Sequence, residues 1–237
     1  MSQILLTRRE GAVLVLSNNN VAARNALSFE FYTAVTQALQ EAAQDPSIGA
    51  IVLTGEGGHF CSGGDLRQLV KRRELPVAER RARLEGLHDL IRTVRDCPKP
   101  VIAAVEGAAA GAGLSLAMAC DMLVAAKDAQ FSVAYVKVGL TPDGGATAFL
   151  AEFVSRQVLT ELCLTGAPLS GERMHALGAV NRLVASGCAL EAAMALAADI
   201  SKGPPHAMGR IKHLCRLAMR HSLNDQLELE AQFMVEA

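Results

Sequence analysis

Three observations predict an α/β fold for this 237-residue chain. Short apolar runs rich in Val, Ile and Leu alternate with longer segments of helical periodicity, so the strands must pair in parallel through crossover connections. Two of the runs lead straight into glycine-dense loops that open helices. Half of the residues (51%) are apolar, which is enough for one sizeable buried core.

Taken in order, Ile4-Leu5-Leu6-Thr7 and Val13-Leu14-Val15-Leu16 are β-like runs, and Glu10-Gly11 between them supplies the turn of a hairpin. Ser28, three residues before Phe31, starts a helix that runs to about Asp45, with Ala34, Val35, Ala38, Leu39 and Ala42 at helical spacing. Asp45-Pro46 ends it. Residues 50–54 are a buried strand, and a glycine-dense loop covers 55–65. Seven basic residues stand against Glu74 and Glu79 between Arg67 and Arg83, and a helix then runs to Asp96, closed by Cys97-Pro98-Lys99-Pro100. A strand at 101–105, a glycine loop at 107–113 and a helix at 114–120 follow. Strands at 122–125 and 130–133 precede the turn Gly139-Leu140-Thr141-Pro142-Asp143-Gly144-Gly145. Everything after Ala146 reads as helix. The expected organisation is a core over 1–195 and a helical C-terminal cap or trimerisation region over 196–237.

Composition removes several functions. A net charge of −1, from 23 basic and 24 acidic residues, does not suit a protein built to hold nucleic acid, and the absence of Trp with 4% aromatics leaves no base-stacking platform. The six cysteines are far apart with no C-x-x-C pair, as expected of buried thiols in the cytoplasm and not of a metal site. Met1-Ser2-Gln3-Ile4 does not begin a secretion signal. The apolar middle is uncharged only between Glu106 and Asp121, whereas a membrane span needs roughly 20 apolar residues. A cytoplasmic protein with neither membrane nor nucleic-acid partners is expected.

The glycines do not match phosphate motifs. Gly111-Ala112-Gly113 lacks the third glycine of a dinucleotide fingerprint, and Gly64-Asp65 stands where a P-loop needs Lys-Ser/Thr. Each loop is either a compact crossover or a source of unpaired backbone N–H groups. Two such loops converging would hold an oxygen on which negative charge develops. Gly113-Leu114-Ser115-Leu116-Ala117 approaches a nucleophile elbow, but Ala117 replaces the second glycine, so a serine hydrolase with Asp143 and a later histidine is a remote reading. Asp143 is either a turn residue or a general base beside an apolar pocket. Glu106, Asp65 and Asp121 suit caps or strand ends, and His59 suits a solvated loop position.

Three segments together resemble the crotonase (enoyl-CoA hydratase/isomerase) superfamily: Arg24-Asn25-Ala26-Leu27-Ser28; His59-Phe60-Cys61-Ser62-Gly63-Gly64-Asp65-Leu66; and Ala104-Val105-Glu106-Gly107 through Gly111-Ala112-Gly113 to Ala119-Cys120-Asp121. The match spans nearly the whole chain, although the family usually continues beyond a helix such as that expected at 223–237. The resemblance implies a core of repeated ββα turns, a homotrimer or dimer of trimers, and an acyl-CoA thioester as substrate. No metal or nicotinamide is implied, and coenzyme A enters only as part of the substrate. The carbonyl oxygen of the thioester would be held by the backbone N–H groups of Gly64 and Ala112. Arg24, Ala26, Cys61, Ser62, Asp65, Leu66, Gly111, Ser115 and Tyr135 would line the substrate site, with Arg24 and the basic stretch facing the CoA phosphates.

Hydratases of the family use two glutamates, and at those positions this chain has Ser115 and Tyr135. Isomerase-like members place one carboxylate near the turn that carries Asp143. The resemblance therefore implies an acyl-CoA double-bond isomerase with Asp143 as the base, acting on a 3-enoyl-CoA or a ring-derived analogue. Another thioester reaction (hydratase, decarboxylase or thioesterase) and a non-catalytic acyl-CoA-binding subunit are the alternatives.

Overall fold

The computed structural model describes residues 3–236; Met1, Ser2, Ala237 and the Arg72 side chain lie outside the described residues. The expected hairpin is present as β1 (Leu5–Glu10) and β2 (Val13–Asn18), paired antiparallel. It turns on Gly11, whose φ of +58° is costly for any residue with a Cβ. A 3₁₀ turn, Val21–Ala23, leads to α1 (Phe29–Gln44). Ser28 caps that helix, its Oγ accepting the Phe31 N–H at 3.3 Å. Then follow β3 (Ala50–Gly55), α2 (Leu66–Arg72), α3 (Val77–Asp96), β4 (Val101–Val105), β5 (Ala108–Ala110) and α4 (Ala112–Ala119). β6 (Met122–Ala126) and β7 (Gln130–Ser132) precede a 3₁₀ helix, Ala134–Val138. The remainder is α5 (Ala146–Leu150), α6 (Arg156–Thr165), β8 (Leu169–Ser170), α7 (Gly171–Ala176), β9 (Arg182–Val184), α8 (Ala189–Ile200), α9 (Pro205–Leu217) and α10 (Leu223–Val235).

The strands form a six-stranded sheet in the order β1-β2-β3-β4-β6-β9, parallel from β2 onward, and a smaller sheet β5-β7-β8. Two expectations are corrected. Residues 107–113 are not one loop, because Ala108–Ala110 pairs with Gln130–Ser132 as a strand and the next helix starts at Ala112. Nor is everything after Ala146 helical, since β8 joins β7 and β9 closes the edge of the main sheet beside β6. Strands of two or three residues carry no readable period, and partners distant in sequence supply their hydrogen bonds.

Alternate residues of the central strands serve opposite faces of the sheet. Ile51, Leu53, Val101, Ala103 and Val105 join a core with Phe31, Leu39, Leu90 and Leu116 of α1, α3 and α4. Ala50, Val52, Ile102 and Ala104 face α8 instead. Burial on both faces explains why these strands read as unbroken apolar runs. α8 approaches through Ala189, Ala193 and Ala197, each fully buried, so the absence of side chains beyond Cβ sets its distance from the sheet. The domain boundary expected at 195/196 falls inside this helix.

α9 and α10 contain no buried residue, while Ile211, Leu223, Leu227 and Met234 are exposed. Polar contacts hold α9 to the core: Lys212 Nζ lies 2.7 Å from Asp121 Oδ2 and donates to the Lys99 carbonyl at 3.2 Å, and Arg216 donates to the Arg95 carbonyl at 3.0 Å. No helix among the described residues is long and apolar enough to cross a membrane.

Overpacking should expose the constraint at α8. Ala193→Leu is expected to cost about 1–3 kcal/mol, read as a lowered urea midpoint, whereas Ala195→Leu on the exposed face of the same helix should leave the midpoint nearly unchanged.

Candidate active site

The two glycine loops come together because two of their glycines leave room for backbone. At Gly113, a Cβ would lie 2.5 Å from the Cys61 carbonyl oxygen and 2.7 Å from Cys61 Sγ. At Gly63, φ is +100° and a Cβ would lie 2.8 Å from the Ala110 carbonyl oxygen. Backbone hydrogen bonds then stitch the loops as a short ladder: Phe60 N–H to Glu106 O (2.9 Å), Cys61 N–H to Ala108 O (2.8 Å) and Ala110 N–H to Cys61 O (2.9 Å). His59, expected as a solvated loop residue, is instead part of the seam, its Nδ1 accepting the Ala108 N–H at 3.2 Å.

The segment around Arg24 braces the first loop from outside. Arg24 and Asn25 have positive φ (50° and 59°), and the Arg24 carbonyl accepts the Ser62 N–H at 3.0 Å. Ser62 Oγ donates to the Ala23 carbonyl at 3.0 Å, and the Leu27 N–H donates to Gly63 O at 2.8 Å. Asn25 is fully buried, and its Nδ2 donates to the carbonyls of Glu56 (2.7 Å) and His59 (2.6 Å). The three segments that carry the family resemblance are thus one hydrogen-bonded unit. Among the described residues, the N–H groups of Gly64 and Ala112 have no acceptor.

Both glycine loops line a cavity of about 200 Å³, which also reaches Leu66, Leu69, Tyr135 and Asp143. Of the residues expected at the substrate, Ser62, Gly64, Leu66, Gly111, Ala112, Tyr135 and Asp143 line it, whereas Arg24, Ala26, Cys61, Asp65 and Ser115 do not. Arg24 is exposed; Ala26 is buried beside the brace. Cys61 is buried in the seam, and burial pushes its thiol up to about 12, so it stays protonated. Asp65 caps α2, Oδ1 accepting the Arg67 N–H at 2.9 Å. Asp143 is the one carboxylate among the described lining residues. Glu106 is occupied in capping α8 through the Ala189 N–H (2.8 Å), and Asp121 accepts the Val101 N–H (2.8 Å).

At the cavity wall, Tyr135 and, from behind it, Ser115 converge on Asp143. The Tyr135 hydroxyl lies 2.7 Å from Asp143 Oδ1 and 3.2 Å from the Asp143 carbonyl oxygen. Ser115 Oγ donates to that carbonyl at 2.9 Å and lies 3.3 Å from the phenol oxygen. Burial, reinforced by the Asp143 charge, raises the Tyr135 pKa, so the phenol remains a hydrogen-bond donor. Ser115 is fully buried and its hydroxyl is engaged with Gly111, Tyr135 and Asp143; among the described residues no histidine contacts it, so the serine-hydrolase reading gains no support.

Sequence reasoning did not find Tyr32, Leu84, Leu87, Lys137 or Leu140 in the lining, and it expected Arg83, at the end of the basic stretch, to face the CoA phosphates. Leu84 and Leu87 carried only the helical periodicity of α3, which marks a covered face without saying whether protein or ligand covers it. A larger cavity, about 490 Å³, lies between α9 and the core, away from both glycine loops.

A family model described as enoyl-CoA hydratase/isomerase matches residues 8–237. The 1,2-epoxyphenylacetyl-CoA isomerase of Escherichia coli (strain K12) is 32% identical over 234 residues, covering 98% of this chain and 89% of that protein. The 2,3-dehydroadipyl-CoA hydratase of the same organism is 31% identical over 232 residues, with 98% and 89% covered. A crystal structure of an enoyl-CoA hydratase from Polaromonas sp. JS666 superposes with a TM-score of 0.95 at 43% identity, covering 98% of this chain and 90% of that one. With its seamed glycine loops, its ββα turns and these similarities along its length, the chain belongs to the crotonase, or enoyl-CoA hydratase/isomerase, family of enzymes acting on acyl-CoA thioesters.

Proposed function

We propose that the protein is an acyl-CoA double-bond isomerase, acting on a 3-enoyl-CoA or a ring-derived analogue with Asp143 as its proton shuttle. One observation carries this reading: the cavity beside the unpaired Gly64 and Ala112 N–H groups offers a single carboxylate, Asp143, among its described lining residues. Hydration of a double bond needs a base for the water and an acid for the α-carbon, two roles that family hydratases give to two glutamates. Here the corresponding side chains are the hydroxyls of Ser115 and Tyr135, and both are spent on Asp143. A double-bond shift needs only one group that takes a proton and returns it.

In the proposed reaction the thioester carbonyl oxygen accepts hydrogen bonds from the Gly64 and Ala112 N–H groups. Asp143 takes a proton from C2, and the electron pair delocalises over C2–C4 and the carbonyl as a dienolate whose oxyanion the two amides stabilise. Return of the proton to C4 gives the 2-enoyl thioester and restores the carboxylate. Tyr135 and Ser115 fix the loop that carries the base. The exposed cations Arg24, Arg67, Lys71 and Arg80 suit the phosphates of CoA.

The proposal extends to assembly. Ile211, Leu223, Leu227 and Met234 leave α9 and α10 with uncovered apolar side chains, which suits burial in a homotrimer or dimer of trimers.

Proton exchange at the α and γ carbons of a 3-enoyl-CoA in deuterated buffer, followed by NMR, tests the chemistry. Asp143→Asn should lower exchange about 10²–10⁴-fold while thioester binding persists; undiminished exchange in the variant would remove Asp143 from the mechanism. Tyr135→Phe should lower kcat on the order of tenfold with KM little changed, because it loosens the base without altering the amides. Light scattering coupled to size exclusion should give three or six times the chain mass, and a monomer would refute the assembly.

A further inference from the structure

Two cations stand in the lining of a cavity that is otherwise suited to an apolar chain. Arg83 belongs to α3, on the same face as Leu84 and Leu87, and Lys137 belongs to the 3₁₀ helix Ala134–Val138; both line the cavity that holds Asp143. Neither takes part in an ion pair among the described residues. Of the α3 carboxylates near Arg83, Glu85 and Asp89 both pair with Arg92, and Glu79, one turn before Arg83, forms no ion pair among the described residues. The rest of this part of the lining is aliphatic, with Leu66, Leu69, Leu84, Leu87, Val138 and Leu140.

We propose that the acyl group of the substrate ends in an anionic group, a carboxylate in the simplest case, and that Arg83 and Lys137 recognise it. This rests on the reading that the cavity receives the acyl part of a CoA thioester. Size separates that part from the nucleotide. Pockets for drug-sized ligands span about 300–1,000 Å³, and the cavity measures about 200 Å³, which suits a short acyl group but not CoA. With the thioester oxygen at Gly64 and Ala112, the chain runs along the leucines, which would hold a methyl-terminated acyl group without any cation. A carboxylate brought off water into the same space needs charged or hydrogen-bonded partners, and two unpaired cations on separate elements supply them.

Calorimetry with two saturated thioesters, which cannot isomerise, tests recognition apart from catalysis. Hexanedioyl-CoA should bind wild type about tenfold more tightly than hexanoyl-CoA, and the ratio should fall to about one in Arg83→Gln/Lys137→Gln. Both side chains are exposed, so the variant should fold, which its melting temperature would verify. Equal or weaker binding of the dicarboxylyl thioester by wild type overturns the proposal. So does a variant that loses both thioesters in the same proportion, because the cations would then serve the phosphates of CoA. Failure of wild type to bind either thioester would overturn the acyl-CoA reading itself.

Discussion

The structure depends on the contact between the two glycine loops. The loop after β3 and the strand β5 form a three-bond backbone ladder from Phe60 to Ala110, closed at Gly113, where anything larger than hydrogen would strike Cys61. This ladder is anchored on both sides. β3 and β4, neighbours in the main sheet, deliver the two loops to the same end of the sheet, and the Arg24–Leu27 segment ties Ser62 and Gly63 down from the other side. A shift of a fraction of an ångström in this seam would move the Gly64 and Ala112 N–H groups relative to each other. Preorganised donors are effective only when they need not rearrange as charge develops, so in the proposed reaction the seam would serve the chemistry of the cavity directly.

The replaced acids acquire a structural meaning around that frame. A serine at 115 and a tyrosine at 135 do more than remove carboxylates. Their hydroxyls hold the backbone and side chain of Asp143, at positions where the family resemblance implies the two glutamates of hydratases. Burial keeps the phenol protonated, so Tyr135 can only donate toward the carboxylate. In the proposed isomerase, a single base in a cavity walled by leucines would favour transfer of carbon-bound protons over activation of water, and the recognition proposed for Arg83 and Lys137 would act at the acyl group without altering that chemistry.

Much of the fold was legible in the sequence, and for identifiable reasons. The central strands appear as apolar runs because they are covered on both faces, α1 is announced by the Ser28 cap and its periodic apolar face, and the loops are marked by glycines. The short strands were not legible. Ala108–Ala110 looks like part of a loop and Arg182–Val184 like part of a helical region, because each becomes a strand only through hydrogen bonds to β7 and β6. For the site, the residues expected from the sequence include the two amides and the acid but fewer than half of the cavity wall; Leu84, Leu87 and Lys137 belong to ordinary helical patterns, and Arg83 was expected only as part of a basic stretch facing the CoA phosphates.

By itself, the sequence determined which groups are available: glycines where two backbones must approach, the hydroxyls of Ser115 and Tyr135, and an aspartate in a Pro-Asp-Gly-Gly turn. These are properties of residue type and local spacing, and they survive without knowledge of the partners. Only the tertiary structure decided which of these groups meet. Ser115, Tyr135 and Asp143 lie 28 positions apart at the extremes, and their hydrogen bonds exist because α4, the 3₁₀ helix and the following turn pack together. Arg24 and Cys61, prominent in the motifs, lie outside the cavity lining, while Arg83 and Lys137 face it. Side-chain direction depends on the packing of whole elements, and no local run of residues encodes that.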